Sequence, residues 1–380
     1  MKIKKLQIDP NWKSRLESIG YGYHSLDNIP YWIDDYYYQI STQEADLIYE
    51  ATNELWQMCL QAVEYIVSNK LYNKFHLPHY IIHHIEESWE NDVPSIYGRF
   101  DFTFDSKNKE IKMLEFNADT PTSLFETGIV QWYWKKHYFP ELIDQFNGIH
   151  EQLIKSWQEL KPFLKGEILH FSCAKETLED LTNVEYLRDT AIQAGISTKL
   201  IYIDDIGWNG RAFVDLEGED IKSIFKLYPW EWMVNEEFGV HIINDVNQCH
   251  WIEPSWKMLL SNKAILAILW ELFPNHPLLL PAYFDKPDYL KNYVRKPILS
   301  REGANIEMYF DNQKIYETSG EYGEEGFIYQ ELAELHKEDT GFSIIGSWVI
   351  GQESCGISFR ESDMPITTDK SRFIPHIIKS

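Results

Sequence analysis

Residues 97–123 read YGRFDFTFDSKNKEIKMLEFNADTPTS, a stretch in which apolar and polar residues alternate on both sides of a polar turn. Phe100, Phe102 and Phe104 alternate with polar residues, which is the period of a β-strand that has one apolar face. A polar turn at 106–108 separates this strand from a second one, which ends at Asn117. The pattern therefore predicts an antiparallel hairpin at 97–117.

The polar side chains of the hairpin are candidates for a site. Alternate residues of a strand share a face, so Arg99 lies beside Asp101, and Glu115 lies beside Asn117. Carboxylate and amide oxygens suit a hard cation such as Mg²⁺, and an arginine suits a phosphate or a carboxylate. The alternative is a surface hairpin whose cross-strand ion pairs contribute little to stability.

A hydroxyl-rich loop follows the hairpin, with Thr120, Thr122 and Ser123 close together. These hydroxyls either position an anion or cap the helix that comes next. Further along, Trp230-Glu231-Trp232 either lines a substrate pocket or combines core aromatics with a surface acid.

Flanking segments predict the rest of the architecture. Ser41 and Glu44 form a capping-box pattern at the start of a helix over 41–70. Residues 167–205 read strand, helix, strand, with Gly195 ending the helix, as in a βαβ unit. Another helix is expected over 262–272, and the chain becomes β-rich after Pro281. The fold class is therefore α/β or α+β, with a mixed central sheet and an antiparallel C-terminal lobe.

Two lysines lie in apolar surroundings. Lys263 begins a predicted helix, where a bound phosphate would complement the helix dipole. Lys296 lies inside a predicted strand and precedes a small-residue loop at 300–306 that resembles a flap. The sequence has no P-loop pattern. The ordinary alternative is that each lysine runs its stem along apolar surface.

Two later segments add weaker signals for a nucleotide. The strand that begins at Phe327 continues into an acidic connection, a pattern typical of a hinge whose backbone groups contact a purine. A late strand ends at Arg360, which could reach a polyphosphate.

Composition excludes several classes of protein. The formal net charge of −24 argues against a protein that binds nucleic acid through its phosphates. The four cysteines are far apart, which argues against a zinc knuckle or a disulfide framework. No apolar run is long enough for a membrane span, and the N-terminus lacks the apolar core of a signal peptide. We therefore expect a cytoplasmic protein with neither membrane nor nucleic acid as a partner.

In this order, the segments resemble the synthetase domain of the glutathionylspermidine synthase family, whose members adopt an ATP-grasp fold. The resemblance covers most of the chain, and its specific parts are 99–101, 115–119, 261–266, 296–305, 329–332 and Arg360. It implies one glutathionylspermidine synthetase-like unit over 1–380. Within this unit it implies a pre-ATP-grasp-like lobe at about 165–250, an ATP-grasp nucleotide-binding lobe at 255–380 and the metal-binding hairpin at 97–123.

The resemblance also implies roles for single residues. Mg²⁺ would be bound by Asp101, Glu115 and Asn117. Arg99 would be the catalytic residue that contacts the reacting carboxyl and phosphoryl groups, with Thr120 and Thr122 beside the acid substrate. The ATP site would be formed by residues from several segments, namely Lys263, Lys296, Glu302, Gly303, Gln330, Glu331, Leu332, Ala333 and Arg360, completed by 365–367.

The chemistry that the resemblance implies is ATP-dependent formation of an amide between an acid and an amine, through an acylphosphate and with ADP and phosphate as products. The acid would be a small carboxylic acid, peptide-like in the family, and the amine a polyamine-like molecule. The chain resembles most closely the short members, so we expect no amidase domain, and the substrate pair stays open. The alternatives are an ATP-binding protein that does not ligate and a carboxylate kinase with the same nucleotide site.

Overall fold

The predicted hairpin forms one side of an antiparallel sheet in the computed structural model, which describes residues 1–26, 29–140, 144–368 and 370–379. Tyr97–Asp105 pairs with Glu110–Asn117, as predicted, and on its other edge with Gly341–Ile350. This central sheet continues through further antiparallel strands, in the order Gly341–Ile350, Glu353–Ser362 and Arg372–Ile374, with His336–Glu338 also paired to Gly341–Ile350.

A long helix, Thr42–Ser68, covers the apolar face of the central sheet. Its capping box is present as predicted. The Ser41 hydroxyl accepts the Glu44 amide at 3.2 Å, and the Glu44 carboxylate accepts the Ser41 amide at 2.8 Å. Phe100 and Phe116 stack beneath the helix with ring centroids 3.9 Å apart. The apolar side of the hairpin is thereby buried, and its polar side is left for the cleft.

A separate parallel sheet contains the predicted βαβ unit. The helix Leu178–Gln193 crosses over between two parallel strands, and Gly195 follows it with a φ of +80°, a conformation that favours glycine. The strand order in this sheet is His250–Ile252, Ser223–Leu227, Ile168–Cys173 and Ser197–Tyr202.

The β-rich region after Pro281 begins with a second antiparallel sheet. Its middle strands, Tyr293–Pro297 and Phe327–Glu331, carry the segments that were predicted to contact a nucleotide. Its strand order is Ala282–Tyr283, Phe327–Glu331, Tyr293–Pro297, Glu307–Phe310 and Gln313–Glu317. We refer to it as the C-terminal sheet.

The prediction of a mixed central sheet is wrong for the residues that the structure describes. The central sheet is antiparallel throughout these residues, and the parallel pairs of 168–252 form a sheet of their own. The strands at 341–374 belong to the same sheet as the hairpin and not to the C-terminal sheet, so the antiparallel C-terminal region is divided between two sheets. The reason is that alternation identifies a strand and its faces, whereas its neighbours depend on tertiary packing.

The remaining elements surround these sheets. The predicted helix at 262–272 is Ala264–Leu272, and it packs beside the long helix. A small N-terminal sheet joins Lys2–Lys5, Tyr36–Ile40 and His376–Ile378, and two short pairs are Ser25–Leu26 with Ile29–Pro30 and Gly207–Trp208 with Phe213–Val214. The other α-helices are Trp12–Glu17, Ile82–Glu90, Gln131–Tyr138, Ile149–Leu160, Trp230–Met233 and Met258–Ser261. Among the described residues, no helix combines the length and apolar composition that crossing a bilayer requires.

Candidate functional site

The register of the hairpin places its polar side chains in two facing pairs. Arg99 lies opposite Asn117, and Asp101 lies opposite Glu115. The register shifts immediately afterwards, which leaves Leu114 as an extra residue in the second strand. Such an irregularity changes the direction of the side chains next to it. The four polar side chains therefore line a cleft at this end of the hairpin.

Arg99 and Asp101 form a buried pair with two hydrogen bonds. The Arg99 Nε donates to Asp101 Oδ1 at 2.7 Å, and Nη2 donates to Oδ2 at 3.1 Å. The remaining Arg99 nitrogen, Nη1, donates to the backbone carbonyl of Thr122 at 2.6 Å. The Asn117 amide donates to Asp101 Oδ2 at 3.2 Å. The guanidinium is therefore held between the hairpin and the hydroxyl-rich loop.

Two lysines from other elements approach Glu115. The Lys263 ammonium lies 3.5 Å from Glu115 Oε2 and donates to the carbonyl of Ser300 at 2.8 Å. Lys296 Nζ donates to the Leu114 carbonyl at 3.0 Å and to Gln330 Oε1 at 2.7 Å. Burial alone would raise the pKa of Glu115, but the charges of the two lysines and Arg99 lower it to about 2. Glu115 is therefore ionised at any working pH.

A cavity of about 120 Å³ lies between the C-terminal sheet and the end of the hairpin. Lys296 and the run Gln330–Ala333 line it, together with apolar side chains that include Met308 and Ile344. Burial lowers the pKa of Lys296 to about 8, although Glu115 opposes the shift. The structure thus brings the predicted lysines and the predicted hinge to one cavity that has an apolar end and a charged end.

The loop after Lys296 packs over this charged end. Glu302 and Gly303 have φ values of +53° and +69°, and both line the cavity. A Cβ atom at Gly303 would come within 2.4 Å of the Thr367 carbonyl oxygen, so only glycine allows this approach. The segment 365–367 therefore lies against the loop and forms part of the same wall.

A second, more polar cavity of about 230 Å³ adjoins the first, because Asp101, Glu115, Asn117, Lys263 and Gly303 line both. Arg301 bridges its two sides. One guanidinium nitrogen donates to Glu231 Oε1 at 2.8 Å, and another donates to the Thr120 hydroxyl. Thr122 also lines this cavity. The hydroxyl loop and the flap are thus in direct contact.

Arg360 lines the polar cavity and not the apolar one. Its Nη1 donates to the Ser123 hydroxyl at 3.2 Å, and Nη2 donates to the Thr368 carbonyl at 3.1 Å. The sequence predicted that Arg360 lies near a nucleotide. In the structure Arg360 lines the polar cavity, where it faces the hydroxyl-rich loop.

The polar cavity has an acidic wall that the sequence pattern did not predict. Glu179 and Asp180 line it from the start of the helix Leu178–Gln193. Burial and the neighbouring Glu126 raise the pKa of Glu179 to about 8. Glu126 is itself fully buried, and its carboxylate completes no hydrogen bond with any described residue. In the sequence, Glu179 has the pattern of an ordinary first-turn acid of a helix, so no signal distinguished it.

A buried ion pair fixes the floor of the cleft and was also missed. Lys226 Nζ donates to Asp119 Oδ1 at 2.8 Å, and both side chains are almost completely buried. Asp119 Oδ2 accepts the backbone amide of Trp230 at 2.8 Å. The signal was present, because a lysine within the apolar strand Ser223–Leu227 is rarely buried without a partner.

The donor set of the hairpin fits a hard cation. No group of three or more His, Cys, Asp or Glu side chains in the described part of the chain is arranged to hold a metal ion. The cleft instead presents two carboxylates and one amide, from Asp101, Glu115 and Asn117. Mg²⁺ prefers oxygen ligands, and in phosphate-binding sites it takes most of them from water and phosphate, so one or two carboxylates are sufficient.

Comparison with known proteins gives consistent matches along the chain. A model of the family described as "Glutathionylspermidine synthase preATP-grasp" matches residues 3–379. A Haemophilus influenzae protein named "Putative acid–amine ligase" is 42% identical, with 97% of this chain and 96% of that protein covered. The Escherichia coli protein named "Bifunctional glutathionylspermidine synthetase/amidase" is 27% identical, with 98% of this chain but 64% of that protein covered.

A solved structure resembles the fold at low sequence identity. It is that of a glutathione synthetase-like effector from Globodera pallida, with a TM-score of 0.54 and 9% identity. The match covers 90% of this chain and 89% of that chain. The likeness therefore extends over nearly the whole α/β architecture, and at this identity it concerns the fold alone.

Proposed function

Because the chain belongs to the glutathionylspermidine synthase family, we propose that it is an ATP-dependent ligase that joins a carboxylic acid to an amine. The observation that supports this proposal most strongly is the convergence of three kinds of group in one cleft. Carboxylates come from the hairpin, lysines come from two other elements, and an acidic wall comes from the parallel-sheet region. Phosphoryl transfer to an acid draws on metal-binding carboxylates and on lysines. The acidic wall can hold ammonium groups of a polyamine while another of its nitrogens, unprotonated, attacks the acylphosphate.

In this proposal the nucleotide lies against the C-terminal sheet in an ATP-grasp arrangement. The adenine contacts the run Gln330–Ala333 at the apolar end of the smaller cavity. Lys263 and Lys296 hold the phosphates, because both ammonium groups lie at the charged end. The Glu302–Gly303 loop covers them, and Arg360 contacts the phosphates from the polar side.

Asp101, Glu115 and Asn117 would hold Mg²⁺, which, when bound, would neutralise part of the charge on the transferring phosphoryl group. The protein's own residues carry out the positioning. Arg99 cannot turn away from the cleft, because Asp101 and the Thr122 carbonyl fix its guanidinium. This preorganisation lowers the cost of stabilising the charge that develops on the acid.

The reaction would proceed in two steps. A carboxylate oxygen of the acid, held beside Arg99, Thr120 and Thr122, attacks the γ-phosphorus, and ADP leaves with the electron pair of the broken P–O bond. The amine nitrogen then attacks the carbonyl carbon of the acylphosphate, phosphate departs, and the nitrogen loses a proton to give the amide. Arg99 stays within reach of the negative oxygen that forms in the second step.

The acidic wall supports a cationic, polyamine-like amine as the second substrate. Glu179, Asp180 and Glu231 line the polar cavity, and none of them lines the smaller cavity assigned to the nucleotide. Ammonium groups pair with carboxylates, and a partly buried cleft strengthens such pairs relative to water.

We predict that binding of the amine releases a proton. Since the pKa of Glu179 is about 8 in the free protein, this carboxyl is protonated at pH 7. Pairing with an ammonium group, which keeps its own proton up to about pH 10, requires the ionised form. The affinity for spermidine should therefore increase with pH below pH 8, by up to about tenfold per pH unit. Isothermal titration calorimetry in buffers of different ionisation enthalpy measures both the affinity and the proton release.

The variant Glu179→Gln should bind spermidine weakly and without this pH dependence. Glu176→Gln is the matched control, because Glu176 is exposed three residues earlier in the chain. A wild-type affinity that does not change between pH 6.5 and 8.5 would contradict the pairing of Glu179 with the amine.

The proposed activity is tested by release of phosphate and ADP from Mg·ATP, with candidate acids and amines supplied singly and together. We expect release that depends on both substrates and a product whose mass equals their sum less water. Release with an acid alone would indicate a carboxylate kinase. Tight ATP binding with no release for any pair would indicate a binding protein. Either result would overturn the ligase assignment.

A further inference from the structure

A third cavity, larger than either cavity of the cleft, plays no part in the proposed reaction. It has a volume of about 520 Å³ and lies between the helix Ile82–Glu90 and the strand His250–Ile252. None of its lining residues lines either cavity of the cleft. It opens near the amino ends of the parallel strands, where Lys165 precedes the strand Ile168–Cys173. We call it the His250 cavity.

His250 is the first observation that indicates a ligand. Its side chain lines the cavity and is only 8% exposed, yet neither ring nitrogen completes a hydrogen bond with any described residue. The Phe163 backbone interacts with the ring, but not with the geometry of a full hydrogen bond. Most buried polar groups have a partner, and an imidazole that borders an open volume can take one from a molecule in that volume.

The charged groups around the cavity indicate which charge that partner carries. The ammonium group of Lys165 has three donors, and two of them go to the carbonyls of Asn247 and Gln248, at 3.4 Å and 2.5 Å. The third has no acceptor among the described residues and is available to a ligand. Burial, with a smaller contribution from the charge of Lys165, lowers the pKa values of His84 and His250 to about 4, although Glu87 opposes the shift at His84.

The carboxylates that line the His250 cavity do not compete with a ligand for the Lys165 ammonium group. Asp245 accepts the backbone amides of Asn247 and Cys249, at 3.0 Å and 2.9 Å, which holds it within its own turn. Glu87 is half exposed and lies 3.3 Å from the His83 ring on the same helix. An anion in the cavity would therefore meet Lys165 and the imidazoles, and no unengaged buried carboxylate among the described lining residues.

The remaining walls are apolar and extend to the mouth. Trp251 and Ile242 line the interior and are almost completely buried. Phe163 and Ile243, at the opening, are 62% and 48% exposed. Binding sites for small molecules typically combine such apolar walls with a few polar groups that orient the ligand.

We propose that the His250 cavity binds an organic anion with an aromatic body, whose acidic group contacts Lys165 and His250 and whose ring packs on Phe163 and Trp251. The site is independent of the proposed ligase activity, because it shares no residue with the cleft.

The test uses 8-anilinonaphthalene-1-sulfonate as the probe, because it combines a sulfonate with an aromatic body and fluoresces when it leaves water. We expect saturable binding at one site, which Mg·ATP does not displace. Lys165→Met and His250→Leu should each weaken binding at least tenfold, whereas Lys155→Met, at an exposed lysine of the helix Ile149–Leu160, should leave it unchanged. N-phenyl-1-naphthylamine, which lacks the sulfonate, should bind at least tenfold more weakly.

Three results would overturn the proposal: absence of saturable probe binding, displacement of the probe by Mg·ATP, or equal binding by wild type and Lys165→Met. The Lys165 side chain is exposed, so its replacement should not affect folding. The variant Lys165→Met therefore decides the test even if His250→Leu fails to fold. Thermal unfolding and nucleotide binding of each variant report whether the rest of the molecule is intact.

Discussion

Replacement of Glu115 by glutamine is expected to slow ATP-dependent product formation roughly 1,000-fold, which corresponds to about 4 kcal/mol of transition-state stabilisation. Glutamine has the same shape but is neutral. Because Lys263, Lys296 and Arg99 hold the pKa of Glu115 at about 2, the wild-type carboxylate is charged at every working pH, and the substitution always removes that charge. A neutral amide is a weaker ligand for Mg²⁺. Steady-state kinetics at saturating Mg·ATP measure the effect.

A second measurement separates loss of the metal ligand from loss of the fold. Without Glu115, Lys263 and Lys296 lose a negative neighbour, so the affinity for ADP in the absence of metal should stay the same or increase. Glu110→Gln, at the exposed start of the same strand, is the matched control and should behave as wild type. Turnover within about threefold of wild type would contradict a metal-binding role for Glu115.

The local elements of the fold could be predicted because each has a short-range signal. The alternating phenylalanines define the hairpin, and Ser41 with Glu44 defines the start of the long helix. The pairing of Gly341–Ile350 with the hairpin had no such signal. It depends on contacts such as Trp348 with Arg99, which are about 250 residues apart in the chain and are set by packing.

In the candidate site, too, some features have a short-range sequence signal and others depend on packing. Arg99, Asp101 and Glu115 could be identified because they occupy one short motif, and the structure brings Lys263 and Lys296 to them. The bridge that Arg301 forms with Glu231 and Thr120 could not be predicted, because its partners are 70 and 181 residues away. The sequence marked Thr120 and Glu231 as candidates for a substrate site, but nothing in it connected either of them with Arg301. Their proximity is a property of the fold.

The ion pair of Lys226 and Asp119 leads to the largest expected effect on stability. Lys226→Met removes the cation but leaves Asp119 fully buried, and an uncompensated buried charge costs about 3–5 kcal/mol of the free energy of unfolding. Burial already raises the pKa of Asp119 despite Lys226, so the unpaired carboxyl should take up a proton more readily. The loss in the free energy of unfolding caused by Lys226→Met should therefore decrease as the pH falls. Urea unfolding at pH 5 and pH 7.5 measures it.

Two further variants decide whether the missing charge is the cause. Lys222→Met, four residues earlier and exposed, should change the free energy of unfolding by less than about 0.5 kcal/mol. The double variant Asp119→Asn with Lys226→Met should recover most of the loss, because asparagine is neutral and its carbonyl can still accept the Trp230 amide. A double variant as unstable as Lys226→Met alone would attribute the loss to packing of the lysine stem. In that case Asp119 would hold the floor of the cleft through Trp230 alone.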